Sequence, residues 1–170
     1  MYKRQISIPR LTHADIWVAY RADTLRWPGP VYQQMLGQLQ RWRQAGNKVV
    51  GVQIDFDART FYLSEYVAFL RQFRQRLPAD YRLSITGLLD WSSNADPALI
   101  GQLKGVVDEV VVQTYQGRTT ISQYSAYLPR LRNLGLPYKV GLVQGGEWQA
   151  PGWLADDPWF RGYVVFLQNR

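Results

Sequence analysis

The chain contains no cysteine and a single histidine, His13, among its 170 residues. Without thiols it can form neither disulfides nor the cysteine sites of structural zinc. One histidine in a loop-like segment also excludes a histidine-based catalytic triad and a histidine zinc site. No run approaches the roughly 18 consecutive apolar residues of a membrane-spanning helix. We therefore expect a function carried by carboxylates, amides, hydroxyls and aromatic rings, with no metal and no cofactor.

Negative charge is also scarce, since 20 lysines and arginines outnumber 13 acidic residues and leave a formal net charge of +7. Such an excess raises the question of nucleic acid or another acidic polymer as a partner. Many of the basic residues fall in segments that are predicted to be amphipathic helices, where a solvated polar face is the usual explanation: Arg41, Arg43, Arg71, Arg74, Arg76, Arg130 and Arg132. The aromatic and basic pattern of RNA-binding domains is missing, so we expect no nucleic-acid partner.

Apolar runs typical of strands alternate with stretches of helical periodicity along the chain. The pattern predicts strands at residues 16–20, 48–57, 83–89, 106–115, 138–143 and 162–167. It predicts helices at residues 30–45, 64–77, about 97–104 and about 121–133. Strands joined by helical or looped crossovers indicate an α/β protein with a parallel sheet.

Two parallel architectures compete for this pattern. A doubly wound sheet would carry a glycine-rich turn after its first strand, and no strand-to-helix junction has one. A (β/α)8 TIM barrel instead collects functional side chains at the carboxyl ends of many strands. Polar residues do collect at the predicted strand ends: Arg21, Asp23, Gln53, Asp55, Asp57, Asp90, Gln113, Tyr115, Gln144, Glu147 and Gln168. The sequence therefore predicts a partial TIM barrel of about six β/α units, two short of a closed one.

The first five residues do not fit an export signal, because they lack an apolar core. They resemble a translated sequencing adaptor, and the alternative is a natural short polar start. The adaptor interpretation predicts one domain over residues 6–170 and a natural protein that begins further upstream. We expect export to the periplasm or cell envelope, directed by a signal peptide lost with that upstream part. A cytoplasmic location stays open.

Two carboxylates share one face of the second predicted strand. Strand side chains alternate between faces, so Gln53, Asp55 and Asp57 point one way while Val52 and Ile54 point the other. The two acids would lie roughly 6 to 7 Å apart at the backbone. In a partly dry site each would oppose ionisation of the other, which would raise one pKa and create a general acid. The alternative is that both carboxylates pair with Arg21 or with backbone amides.

The same strand carries a resemblance to a known enzyme family. Residues 51–57, Gly-Val-Gln-Ile-Asp-Phe-Asp, are similar to the fourth-strand signature D-G-x-D-x-D-x-E of glycoside hydrolase family 18, the chitinase-like barrels. Val50 and Gln53 replace the first two acids, Asp55 keeps the third, and Asp57 stands where that family has its acid Glu. Residues 113–115, Gln-Thr-Tyr, resemble its sixth-strand segment. The resemblance implies that this chain carries barrel strands 3 to 8.

A second resemblance covers nearly the whole chain from Ile16 onward. Residues 51–57, 83–88 and 107–115 resemble the bacterial family called domain of unknown function 3142. This resemblance implies the fold and assigns no activity.

The family-18 resemblance implies a role for each of three residues. Asp57 would protonate the leaving glycosidic oxygen, Asp55 would act as its partner, and Tyr115 would donate a hydrogen bond to the substrate. In that family the nucleophile is the acetamido oxygen of the substrate itself, an exception to the two-carboxylate scheme. Asp is one methylene shorter than Glu, and a displacement near 1 Å can cost on the order of a hundredfold in rate.

Aromatic and amide side chains favour a carbohydrate ligand. Four tryptophans, Trp27, Trp91, Trp148 and Trp153, fall in connections after strands and could stack on sugar rings, the alternative being loop packing. Sugar hydroxyls would suit the polar residues Gln53, Gln113, Gln144, Arg21, Asp90 and Glu147. The sequence thus predicts a glycosidase of polysaccharide or glycoconjugate. A non-catalytic glycan-binding barrel and an envelope-associated scaffold remain as alternatives.

Overall fold

A computed structural model describes residues 7–57 and 62–168, apart from the side chains of residues 92 and 93. The predicted leader at residues 1–5 lies outside the described residues. The strands are β1 (Asp15–Arg21), β2 (Lys48–Asp55), β3 (Arg82–Leu88), β4 (Glu109–Gln113), β5 (Tyr115–Gln116), β6 (Thr119–Thr120), β7 (Tyr138–Val143) and β8 (Phe160–Phe166). The α-helices are α1 (Gly29–Gln44), α2 (Leu63–Arg76), α3 (Trp91–Asn94), α4 (Pro97–Gly101) and α5 (Tyr124–Tyr127). Two 3-10 helices span Leu128–Leu134 and Leu154–Asp156.

Six strands form one parallel sheet in the order β1-β2-β3-β4-β7-β8. The remaining two, β5 and β6, form a short antiparallel hairpin between β4 and β7 in the chain. Consecutive parallel strands are joined through helices, as the right-handed β/α repeat of a TIM barrel requires. The predicted α/β partial barrel is therefore confirmed, with β1 and β8 as the edges of the sheet in the described part of the chain.

One face of the sheet packs against the helices and forms the core. Its side chains, which we call the helix face, are at most 1% exposed: Val52, Ile54, Leu83, Ile85, Val110 and Val112. Helix α1 contributes Tyr32, Met35 and Leu39 to this core, at the spacing of one helical stripe. The alternate strand positions point away from the helices and form the inner face, defined by Gln53, Asp55, Ser84, Thr86 and Gln113.

Several arginines of the predicted basic helices make contacts inside the molecule. Arg74 of α2 donates to the carbonyl oxygens of Leu77, Pro78 and Tyr81, which follow the end of its own helix. The Arg76 guanidinium lies 4.4 Å from the ring centroid of Tyr32. These two arginines therefore serve contacts within the molecule, which the expectation of a solvated helix face did not include.

Two predicted helices are shorter than expected. The helix predicted at about 121–133 is broken into α5 and a 3-10 helix, since Pro129 has no backbone N–H to continue an α-helical ladder. Helix α4 ends at Gly101, although the pattern extended it to about Lys104. Strand β4 begins at Glu109 rather than at residue 106.

Among the described residues, no helix is long and apolar enough to cross a membrane.

Candidate functional site

A cleft of about 860 Å³ opens at the carboxyl ends of the parallel strands. This size lies within the roughly 300–1,000 Å³ of ordinary ligand sites. One part of its wall is charged or polar, formed by Arg21, Asp55, Asp57, Asp90, Gln113, Tyr115 and Gln116. The other part is apolar, formed by Leu88, Leu89, Gly117, Ile121, Tyr127 and Phe166. The cleft therefore offers both hydrogen-bonding groups and flat apolar surface to a ligand.

Arg21 joins the two predicted acids. It is the last residue of β1, and strand pairing sets it beside Asp55 of β2. Its Nη1 donates to Asp55 Oδ2 at 3.1 Å, and its Nη2 donates to Asp57 Oδ2 at 2.7 Å. The two carboxylates raise the pKa of the guanidinium, chiefly through the hydrogen bond to Asp55 and then through that to Asp57. The alternative in which the carboxylates pair with Arg21 is thus present in the structure.

Asp55 is held from a second direction by β3. The hydroxyl of Thr86 donates to Asp55 Oδ1 at 2.9 Å and accepts a hydrogen bond from the Phe56 amide at 3.3 Å. Thr86 is 1% exposed, so these groups meet away from solvent. Both carboxylate oxygens of Asp55 have partners, and its side chain is fixed at the base of the cleft.

Tyr115 lies across the cleft on the hairpin that follows β4. Gln113 Nε2 donates to its hydroxyl oxygen at 3.3 Å, and its ring packs on Phe166 with centroids 5.3 Å apart. Burial raises the pKa of the Tyr115 hydroxyl well above its usual value and outweighs the lowering by the hydrogen bond from Gln113; the charges of Asp55 and Asp57 raise it further, and that of Arg21 lowers it. Tyr115 consequently keeps its proton at neutral pH and remains a hydrogen-bond donor.

The structure brings together a subset of the predicted site residues: Arg21, Asp55, Asp57, Asp90, Gln113 and Tyr115. Gln53 does not line the cleft, because its amide donates to Ser84 Oγ at 3.2 Å lower on the inner face. Gln144 follows β7, where its side-chain oxygen accepts from the amide of Gln168 at 3.0 Å. Glu147 is exposed outside the cleft lining.

None of the four tryptophans predicted at the cleft is among its lining residues. Trp91 is 3% exposed within the core, and Trp27 packs edge-on against Tyr32, Phe69 and Phe73. Trp148 contacts Tyr124 and Tyr163 on the far side of β8, and Trp153 lies against Arg132. The loop-packing alternative describes these tryptophans better than the stacking prediction.

The apolar wall was not predicted from the sequence. Phe166 comes from the end of β8, while Gly117 and Ile121 follow β4 as parts of the hairpin and its exit. The available signal was their position directly after a strand end, which places a residue at the same edge as Asp55. Among the described residues, no group of three histidine, cysteine or acidic side chains could hold a metal ion.

Comparison with known families identifies the chain. The family described as Domain of unknown function (DUF3142) matches residues 28–132, more than half of the sequence. The chain belongs to this family. The resemblance seen in the β2, β3 and β4 segments is thereby confirmed for this DUF3142 member.

Two solved structures resemble the DUF3142 chain. The Bacillus cereus spore cortex-lytic enzyme SleL matches with a TM-score of 0.50 and 19% identity, covering 75% of this chain and 36% of the other. The chitinase domain of the Clostridium difficile spore coat protein CotE matches with a TM-score of 0.49 and 16% identity, covering 75% and 48%. The chain thus spans about a third to a half of these structures. At 19% identity the SleL match establishes the fold alone. No curated protein gives a significant match.

Proposed function

We propose that this barrel acts on a polysaccharide or glycoconjugate as a glycoside hydrolase. One observation carries the proposal: three carboxylates, two amides and a protonated tyrosine converge on one cleft that also has an apolar wall with two aromatic rings. Sugars need this combination, since their ring faces are apolar and their hydroxyls seek hydrogen bonds. The SleL protein, which has the same fold, is named a spore cortex-lytic enzyme, and that name supports the proposal without assigning the activity.

In the proposed reaction Asp57 is the general acid. Its side chain is 55% exposed at the cleft and can approach a bound ligand, whereas Asp55 is held by Thr86 and Arg21. Asp57 gives its proton to the glycosidic oxygen as the bond from that oxygen to the anomeric carbon breaks. The acetamido oxygen of the substrate supplies the electron pair that the anomeric carbon loses. Asp57 must hold a proton at that moment; in this scheme Oδ1 carries it, since Oδ2 accepts from Arg21 Nη2.

The other cleft residues orient the sugar in this scheme. Tyr115 donates its hydroxyl proton to the substrate, and the Gln113 amide fixes the direction of that hydroxyl. Tyr127 and Phe166 offer apolar surface to a ring face. Asp90, two residues after β3, accepts from sugar hydroxyls in this scheme.

Hydrolysis of chromogenic N-acetylglucosaminides and related glycosides tests the proposal. Asp57→Asn should lower kcat by at least about a hundredfold, the usual contribution of a general acid. Asp156→Asn, at an exposed site in the second 3-10 helix, is the matched control and should retain full activity. Unchanged turnover in Asp57→Asn would remove Asp57 from the acid role.

Non-catalytic glycan binding is the second candidate, and the Arg21 contact favours it. Carboxylates that are held by a guanidinium can accept hydrogen bonds from sugar hydroxyls without any proton transfer. This function predicts oligosaccharide binding without turnover. Isothermal titration with chitooligosaccharides should then show binding that is weakened in Tyr115→Ala.

We also propose that the protein works outside the cytoplasm, where polysaccharide substrates occur. Fractionation of cells that carry the natural gene tests this location. Recovery of the protein in the cytoplasmic fraction would contradict it.

A further inference from the structure

The two acids of the cleft are anchored in different ways. Asp55 lies within β2, and its oxygens accept from Thr86 and Arg21. Asp57 lies two residues beyond the end of β2, and its side-chain contact with Arg21, at 2.7 Å, comes from a different strand. The position of Asp57 therefore depends on a side chain that is distant in sequence.

Strand register brings Arg21 to this place. Arg21 pairs with Asp55 across the β1–β2 ladder, and the next amide, that of Ala22, donates to the Asp55 carbonyl at 2.8 Å. The backbone of Arg21 is thus fixed beside Asp55. Its planar guanidinium presents several N–H donors in a rigid fork, so one side chain can hold two carboxylates at once. A lysine ammonium has no such fork and cannot reproduce the two contacts in the same geometry.

We infer that Arg21 is a positioning residue that ties Asp57 to the fixed carboxylate of Asp55 and so holds it at the cleft. The expected effect of Arg21 on kcat rests on the proposed function, in which Asp57 is the acid. The expected effect of Arg21 on the position of the Asp57 carboxylate rests on the contacts alone. Arg21 thereby acts on the reaction through Asp57.

Crystal structures of the wild-type chain and of Arg21→Ala test the structural consequence. We expect the Asp57 carboxylate to move by about 1 Å or more, a displacement large enough to cost about a hundredfold in rate. Asp55 should stay in place, because Thr86 still holds it. An Asp57 carboxylate that keeps its position in the variant overturns the inference, whether or not the cleft is hydrolytic.

Kinetics test the catalytic consequence. Arg21→Ala should lower kcat about ten- to a hundredfold with little change in KM, and millimolar guanidinium ion should restore part of the loss by occupying the vacated place. Arg21→Lys should remain impaired. The matched control is Arg71→Ala on the exposed side of α2, which should keep wild-type activity with and without guanidinium.

The two proposals fail separately in these experiments. Absence of turnover in the wild-type chain counts against the hydrolase function, and the crystal comparison still decides the role of Arg21. Normal turnover in Arg21→Ala overturns the positioning role and leaves Asp57 as the acid. The same holds if the Arg21→Lys variant is as active as Arg21→Ala with added guanidinium ion.

Discussion

The helix face and the inner face of the sheet come from the same strands and have opposite chemistry. On β2 and β3 the helix face carries Ile54 and Leu83, both fully buried against the helices. The alternating positions carry Asp55, Ser84 and Thr86 on the inner face. Ser84 and Thr86 are also buried, at 0% and 1% exposed. At Ser84 and Thr86 the two faces therefore differ in the chemistry of the buried side chains rather than in their exposed fractions.

That difference separates folding from function in this sheet. Helix-face residues contribute apolar area removed from water, at about 25 cal/mol per Å². Buried inner-face residues must satisfy hydrogen bonds with each other, as Gln53 does with Ser84 and Thr86 does with Asp55. This polar network reaches the cleft through Asp55, which accepts from Thr86 and lines the cleft. Substitutions at matched positions on the two faces can measure how much each face contributes to the free energy of unfolding.

The largest effect is expected at Ile54, which is fully buried on the helix face. Ile54→Ala should lower the free energy of unfolding by about 2–5 kcal/mol, because it removes apolar contacts and leaves a cavity. Its neighbour Gln53 is only half-buried on the inner face, so Gln53→Ala is the matched control and should cost about 1 kcal/mol, the value of one hydrogen bond. Urea denaturation gives both values, and equal losses would contradict the division between the faces.

The next effect concerns a buried polar residue of the inner face. Thr86→Val keeps the shape of the side chain but leaves Asp55 Oδ1 and the Phe56 amide without the Thr86 hydroxyl. We expect a loss of about 1–3 kcal/mol in the free energy of unfolding, the cost of unpaired buried polar groups. Thr119→Val, at an exposed position of β6, should change stability little. If both variants denature at the wild-type urea concentration, the inner-face network does not contribute to stability.

Loss of the hydroxyl should have smaller effects on stability at two fully buried tyrosines, and the two effects should differ in sign. Tyr138 donates its hydroxyl proton to buried Asp157 at 2.9 Å, so Tyr138→Phe should cost about 1–2 kcal/mol. The hydroxyl of Tyr66 has no hydrogen-bond partner among the described residues, so Tyr66→Phe should be neutral or stabilising by up to about 1 kcal/mol. Thermal denaturation of the two variants compares them directly. Destabilisation by Tyr66→Phe would show that its hydroxyl has a partner after all.

The last effect is absent at neutral pH and appears only at alkaline pH. Burial raises the pKa of Tyr20 from 10.0 to about 12, so the folded chain holds this proton after the unfolded chain has released it. Its contribution to stability is complete below pH 10 and is lost as pH rises to about 12. Stability curves of wild type and Tyr20→Phe should therefore converge or cross in that window. Phenolate absorbance that shows Tyr20 ionising near pH 10 would contradict the shift.

Much of the inner-face chemistry could be predicted from sequence, and the limits have physical causes. Alternation along β2 correctly placed Asp55 and Ile54 on opposite faces, because strand geometry fixes that relation locally. The tryptophan prediction used only the position of each residue in the chain. A loop position does not say which way a ring points, and Trp27 turns to other aromatic rings in the core.

The break at Pro129 shows a similar limit. Leu128, Leu131 and Leu134 keep the spacing expected of a buried helical stripe, and all three are buried. The backbone hydrogen bonds nevertheless change to the 3-10 type, since the proline removes a donor. Residues at helical spacing are therefore buried here although the helix is not of the predicted kind.

By itself the sequence determined the parallel α/β partial barrel and the strand end where polar side chains gather. Both follow from local periodicity, which backbone geometry converts directly into faces and edges. Only the tertiary structure decided that Arg21 lies between Asp55 and Asp57 and that Tyr127 and Phe166 complete the cleft. Those contacts depend on strand register and ring packing between residues far apart in the chain, and short-range patterns carry no information about either.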